Sequence, residues 1–106
     1  MMQYVRPFGQ LQGQASVNLT VTGTTANVAV PVSGIGFRSV RIVNSGTQAV
    51  SLEFGKSNAV TAVISTSILM LANSAEVFLL PPDITYIAAI AASTGSTLNI
   101  TVGEGI

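Results

Sequence analysis

Apolar and polar residues alternate with a period of two along most of this chain. Val17, Leu19 and Val21 take every second position with Asn18, Thr20 and Thr22 between them, which puts the apolar groups on one face of a strand. Gly23–Thr25 supply a turn, and Ala26, Val28 and Val30 resume the alternation until Pro31, which has no backbone donor, ends it. Gly34 and Gly36 mark a loop. Val40 and Ile42 then share one face and Val50, Leu52 and Phe54 another, separated by the turn residues Asn44-Ser45-Gly46-Thr47-Gln48. Joined as a hairpin through the loop Ser45–Thr47, these strands keep both apolar sets on one side and set Arg41 diagonal to Glu53 on the other. Such a cross-strand pair is worth roughly 0.2–1 kcal/mol when exposed.

Gly55–Asn58 form the next turn, followed by strands near Ala59–Ile64 and Ser67–Leu71. Ile64, Ile68 and Leu71 also fit one helical face, but the β-branched content of this stretch favours strand. Ala72–Ala75 turn the chain, and Glu76–Leu80 form a short strand closed by Pro81-Pro82-Asp83. Ile84–Ala91 is apolar at nearly every position, as in a central strand covered on both faces. After a turn at Ser93–Ser96, Leu98, Ile100 and Val102 alternate with Asn99 and Thr101. Eight or nine strands at spacings of about 8–12 residues, with no amphipathic helix, predict an all-β fold: an antiparallel β-sandwich, and within that class a jelly roll of about eight strands. Residues 1–14 differ, with four Gln, two Gly, Pro7 and no period, and read as an extended N-terminal arm ahead of a sandwich domain over 15–106. Termini fray unless tied down, and here the aromatics Tyr4 and Phe8, flanking Arg6, favour docking.

Composition sharpens the picture. Only 8% of the 106 residues are charged against a usual value of about 25%, and the net charge is zero. The exterior must therefore be covered by the 11 Ser, 11 Thr, 6 Asn and 5 Gln, or hidden by partner chains. Such a surface has little colloidal repulsion and should associate. Nucleic acid is not expected as a partner, because phosphate binding needs clustered cations and Arg6, Arg38, Arg41 and Lys56 are spread along the chain. A membrane is not expected either: the longest apolar-rich stretch, Ala59–Ala72, is broken by Thr61, Ser65, Thr66 and Ser67 and falls short of the ~20 residues of a span. The first residues contain no apolar run of signal-peptide length, so nothing there marks the chain for secretion.

Candidate chemistry is sparse. His and Cys are absent, which removes the commonest acid–base group, thiolate catalysis, disulfides and nitrogen or sulfur metal ligands. The carboxylates Glu53, Glu76, Asp83 and Glu104 lie far apart, and no acidic loop of calcium type exists. Gly55-Lys56-Ser57 resembles the end of a phosphate loop, but Val50 stands where the first glycine belongs; Gly34-Ile35-Gly36 likewise lacks its third glycine at Ser39. The sequons Asn18-Leu19-Thr20 and Asn99-Ile100-Thr101 lie inside strands with Asn on the polar face. No catalytic, cofactor-binding or metal-ligating residue is expected, and no cofactor.

The segments Val40-Arg41-Ile42-Val43-Asn44-Ser45-Gly46-Thr47 and Val50-Ser51-Leu52-Glu53-Phe54-Gly55 carry a resemblance, together with the tail from Glu76-Val77-Phe78-Leu79-Leu80-Pro81 through Tyr86–Ile90 to Leu98–Gly105. Residues 38–106 resemble the small structural proteins of tailed bacteriophages, in particular capsid cement or decoration proteins. The resemblance implies a sandwich subunit that assembles as a homodimer or homotrimer on the outer surface of the head and bridges major capsid proteins. The long, nearly uncharged arm departs from a minimal sandwich and leaves open whether attachment runs through the arm or a sheet face. Tyr4, Arg6 and Phe8 are the candidate docking residues and Arg41 and Glu53 the candidate rim contacts. A tail, baseplate or fibre-attachment module would use the same sandwich. A carbohydrate-binding module is the third class, weakened by the absence of Trp.

Overall fold

A computed structural model of the chain describes residues 9–10, 16–31 and 38–104. Among these residues the strands are β1 (Gly9–Gln10), β2 (Ser16–Val21), β3 (Ala26–Ala29), β4 (Arg38–Asn44), β5 (Val50–Gly55), β6 (Ile68–Met70), β7 (Ser74–Leu80), β8 (Tyr86–Ala91) and β9 (Ser96–Glu104). They build two antiparallel sheets, β2-β9-β4-β7 and β3-β8-β5-β6. β1 extends the first sheet along the same edge of β9 as β2, with Gly9 opposite Glu104 and Gln10 opposite Gly103. Two such four-stranded sheets, with the chain crossing between them at every connection from β2 to β9 except β5–β6, make the jelly roll that the strand pattern predicts.

Alternation of apolar residues becomes a two-layer core. Leu19, Val21, Val40, Ile42, Leu80, Leu98, Ile100 and Val102 from the first sheet meet Val50, Leu52, Met70, Ile87, Ala89 and Ala91 from the second, all buried. Phe54 and Phe78, one from each sheet, pack edge to face with ring centroids 5.3 Å apart. The outward face of the first sheet is polar where β2 meets β9. Asn99 donates from Nδ2 to Oδ1 of Asn18, its direct cross-strand partner, at 2.9 Å, and Ser16 and Thr101 share a hydrogen bond of 2.7 Å. Both sequon asparagines are thus engaged in a strand-face ladder.

One expected pairing does not form. β4 pairs with β7 and β9, and β5 with β6 and β8, so the segments read as a hairpin lie in opposite sheets. Their apolar faces meet across the core instead of lying side by side. Arg41 consequently stands exposed on the outer face of the first sheet, between Val77 and Thr101, while Glu53 lies on the outer face of the second. The expected diagonal Arg41–Glu53 pair does not exist.

The connection crosses because of Asn44. This fully buried side chain donates from Nδ2 to the carbonyls of Gln48 (2.9 Å) and Leu71 (3.1 Å), and its Oδ1 accepts from the Gly46 amide (3.1 Å). Across the corner, Ser96 Oγ accepts from the Gln48 amide and donates to the Gln48 carbonyl, and the Thr47 amide reaches the Gly95 carbonyl. Gly46 is packed so tightly here that a Cβ would collide with Gly95 O and Ser96 Cα.

Two further differences concern the middle of the chain. Ala59–Ile64 is not a strand, and β6 is only three residues long. β7 begins at Ser74, inside the expected turn, because Asn73 takes a left-handed φ of 52° and completes the reversal earlier.

Candidate assembly surface

The chain between β5 and β6 runs as a strap over the outer face of the second sheet. Asn27 on β3 donates from Nδ2 to the Asn58 carbonyl (2.9 Å), and Thr25 Oγ1 accepts from the Ala62 amide (2.8 Å). On the β5 side, Ser51 Oγ donates to the Ile64 carbonyl (3.3 Å), and Ser67 Oγ donates to Glu53 Oε1 (3.0 Å) while accepting from the Val63 amide (3.0 Å). Between these anchors lies Ala88 of β8, paired with Asn27 on one side and Glu53 on the other, and it is fully buried although its side chain faces outward. The small side chain lets the strap lie close. The covering expected for both faces of the Ile84–Ala91 segment is therefore supplied on the outside by the strap.

Strap and β6 together leave large apolar residues at the exterior, although Ala62 of the strap is turned in and buried. Val63 is 49% exposed, Ile64 55%, Ile68 43%, Leu69 60% and Leu71 63%. Leu69 stands opposite Ser51, the residue whose hydroxyl holds Ile64, and continues the strap's surface, whereas Ile68 stands opposite buried Leu52 on the core-facing side of the edge strand. Residues 57–75 contain no charged side chain; Lys56 and Glu76 bracket the run. β6 pairs only with β5 among the described residues and forms an edge of its sheet. An edge strand is ordinarily protected by charge, by Pro or by a cover. This one carries Ile, Leu and Met.

Of the residues expected to make contacts, Tyr4, Arg6 and Phe8 lie outside the described residues. Arg41 and Glu53 are on opposite outer faces, and Glu53 is half-buried and engaged with the strap. The residues that sequence reasoning passed over are Val63, Ile64, Ile68, Leu69 and Leu71. Their signal was visible: a long uncharged run with neither a clean strand period nor a clean helix period.

Reactive groups do not assemble. Among the described residues no group of three or more His, Cys, Asp or Glu could hold a metal ion. Lys56 and Asp83 form a solvent-exposed ion pair of 3.2 Å that ties the β5 end to the Pro81-Pro82-Asp83 turn. Thr85 reinforces the same junction, with its amide on the Gly55 carbonyl and its hydroxyl on the Lys56 carbonyl.

No protein-family model and no curated protein sequence matches the chain. Among solved structures it is similar to the coat protein of tobacco streak virus, at 10% identity over 89% of this chain and 90% of that one, with a TM-score of 0.42. The assignment of the jelly roll rests on the strand order, not on that likeness.

Proposed function

We propose that this chain is a non-enzymatic structural protein of a virion, a capsid cement or decoration protein of the kind found on tailed bacteriophages. In this reading it oligomerises on the outer surface of the head and bridges major capsid proteins. A jelly roll by itself serves capsids, lectins and cupins alike, so the fold does not choose among them. The observation that carries the reading is the surface: an uncharged strap and edge strand with five exposed large apolar residues. The phage-like segments within residues 38–106 add the type of particle. A repetitive shell lets a small module gain avidity from many weak contacts, which suits a chain with few charges.

Arg41 acts in this reading as a rim contact from the first sheet, and Glu53 contributes by holding the strap. The arm residues Tyr4, Arg6 and Phe8 dock on the shell. The test is co-sedimentation of the purified chain with capsid shells that lack it, followed by heat and osmotic shock. Saturable binding that raises shell resistance is the expected result. Shells equally robust without it would end the stabilising role, incorporation into tail fractions would move the chain to the tail, and binding to neither would remove the virion assignment. Replacing Tyr4, Arg6 and Phe8 together by Ala should lower shell occupancy with the fold intact; unchanged occupancy rejects the arm as the attachment point.

A further inference from the structure

We propose that the strap and β6 form a self-complementary interface, on which a second copy of this chain packs its own strap and β6 about a two-fold axis. This deepens the assembly part of the reading above and rests on it only for the expectation that the chain oligomerises.

Three observations select a second copy as the occupant. The first is area. At their observed exposures, Val63, Ile64, Leu69 and Leu71 offer on the order of 400 Å² of surface, within the range of an ordinary monomer's largest patch. Two copies face to face would remove about 800 Å² from these four residues, and the exposed Thr61, Ser65 and Thr66 among them carry the contact towards the roughly 1,200 Å² at which stable interfaces begin.

The second is charge. In a two-fold contact every group near the axis meets its own image, so a charge there meets a like charge. Residues 57–75 contain no charge, and the flanking Lys56 is drawn 3.2 Å from Asp83 in the turn after β7. Glu53, on the same outer face, is half-buried with its carboxylate accepting from Ser67, so the surface presents little charge against its own image.

The third is how the surface is held. Exposed Val63 and Ile64 would ordinarily collapse onto the nearest core, yet the strap is anchored through Asn27, Thr25, Ser51 and Ser67 with these two side chains outward. An interface that is formed before binding loses less conformational entropy on association. The other exposed large apolar residue, Leu79, faces outward on the opposite sheet, opposite Ser39, and serves as an internal control.

The experiment is sedimentation equilibrium or light scattering on the full chain over a range of concentrations, with far-UV circular dichroism of the same samples. Wild type should sediment at twice the 10.8 kDa chain mass. Leu69→Glu should raise the dimer dissociation constant by at least about 100-fold, the effect of disabling a central interface residue, while Leu79→Glu leaves it unchanged. Because the chain has no Cys, Ser65→Cys supplies a second readout that does not depend on tolerance of a buried charge. Oxidation should join two copies through the strap, and Thr20→Cys, on the outer face of the first sheet, should not. A wild-type monomer, a trimer, a dimer equally sensitive to Leu79→Glu, or crosslinking through Thr20→Cys in place of Ser65→Cys would each overturn the proposal. Adding shells to the same samples separates the two ideas. A monomer that binds shells refutes the two-fold interface and leaves the virion reading; a Leu69-dependent dimer that ignores every particle fraction does the reverse.

Discussion

Replacing Asn44 by Ala removes three hydrogen bonds made by a side chain that water does not reach. The cost follows from what each partner keeps. The Gln48 carbonyl retains Ser96 Oγ at 2.7 Å, and the Leu71 carbonyl retains Ser74 Oγ at 2.6 Å. Those two losses are near the net value of a hydrogen bond, about 1 kcal/mol each. The Gly46 amide has no such reserve among its described bonds and pays the larger cost of an orphaned donor, about 1–3 kcal/mol. The sum is about 3–5 kcal/mol.

Asn44→Asp is the sharper variant. It keeps the acceptor for Gly46 but sets a carboxylate oxygen against two carbonyl oxygens in a buried site, so at neutral pH it should cost more than Ala. Protonation turns that oxygen into a donor. The folded form of this variant therefore holds its proton more tightly than the unfolded form, and its stability should rise as pH falls while that of the Ala variant does not. Urea unfolding followed by circular dichroism measures both, at one fixed chain concentration because self-association would add to apparent stability. A loss below about 1 kcal/mol for Ala, set against the bond values above, or an Asp variant more stable than Ala at neutral pH, would refute the account of the corner.

Three other perturbations probe the same architecture. Gly46→Ala should destabilise by about 1–3 kcal/mol or more in urea unfolding, because the new methyl meets the backbone of Gly95 and Ser96, which has no side-chain freedom to yield. Ala88→Leu should lift the strap from the second sheet, making residues 59–67 the first site of limited proteolysis and weakening any dimer held through Leu69; an unchanged cleavage pattern would show that the strap does not rest on Ala88. Lys56→Ala should change stability by less than about 1 kcal/mol, since both ends of its ion pair are solvated, and a larger loss in the same urea titration would contradict that.

The strands were legible wherever one face of a strand meets the core and the other meets water. Val17–Val21, Ala26–Val30 and Leu98–Val102 alternate visibly, and the structure places strands there. Ile84–Ala91, without alternation, reads as covered twice and is covered twice. The partner of each strand was not legible in the same way. Asn44–Gln48 is short enough for a hairpin, and the apolar register permits one; the crossing is decided by bonds from Asn44 to Leu71 and from Ser96 to Gln48, between residues 27 and 48 positions apart. Composition likewise predicted an exterior covered by hydroxyls and amides or hidden by partner chains. It could not say which surface, because an apolar residue in a core and one in an interface leave the same mark on a sequence.

What the sequence determined by itself is the class of object: an all-β sandwich without His or Cys and with little charge, since residue types and a period of two are local properties. What only the tertiary structure decided is which faces meet. The strap lies outward because Asn27, Thr25, Ser51 and Glu53 hold it, and β6 becomes an edge because β4 crosses to the other sheet. Both depend on pairings between distant residues, whose energies exist only once the chain has closed upon itself.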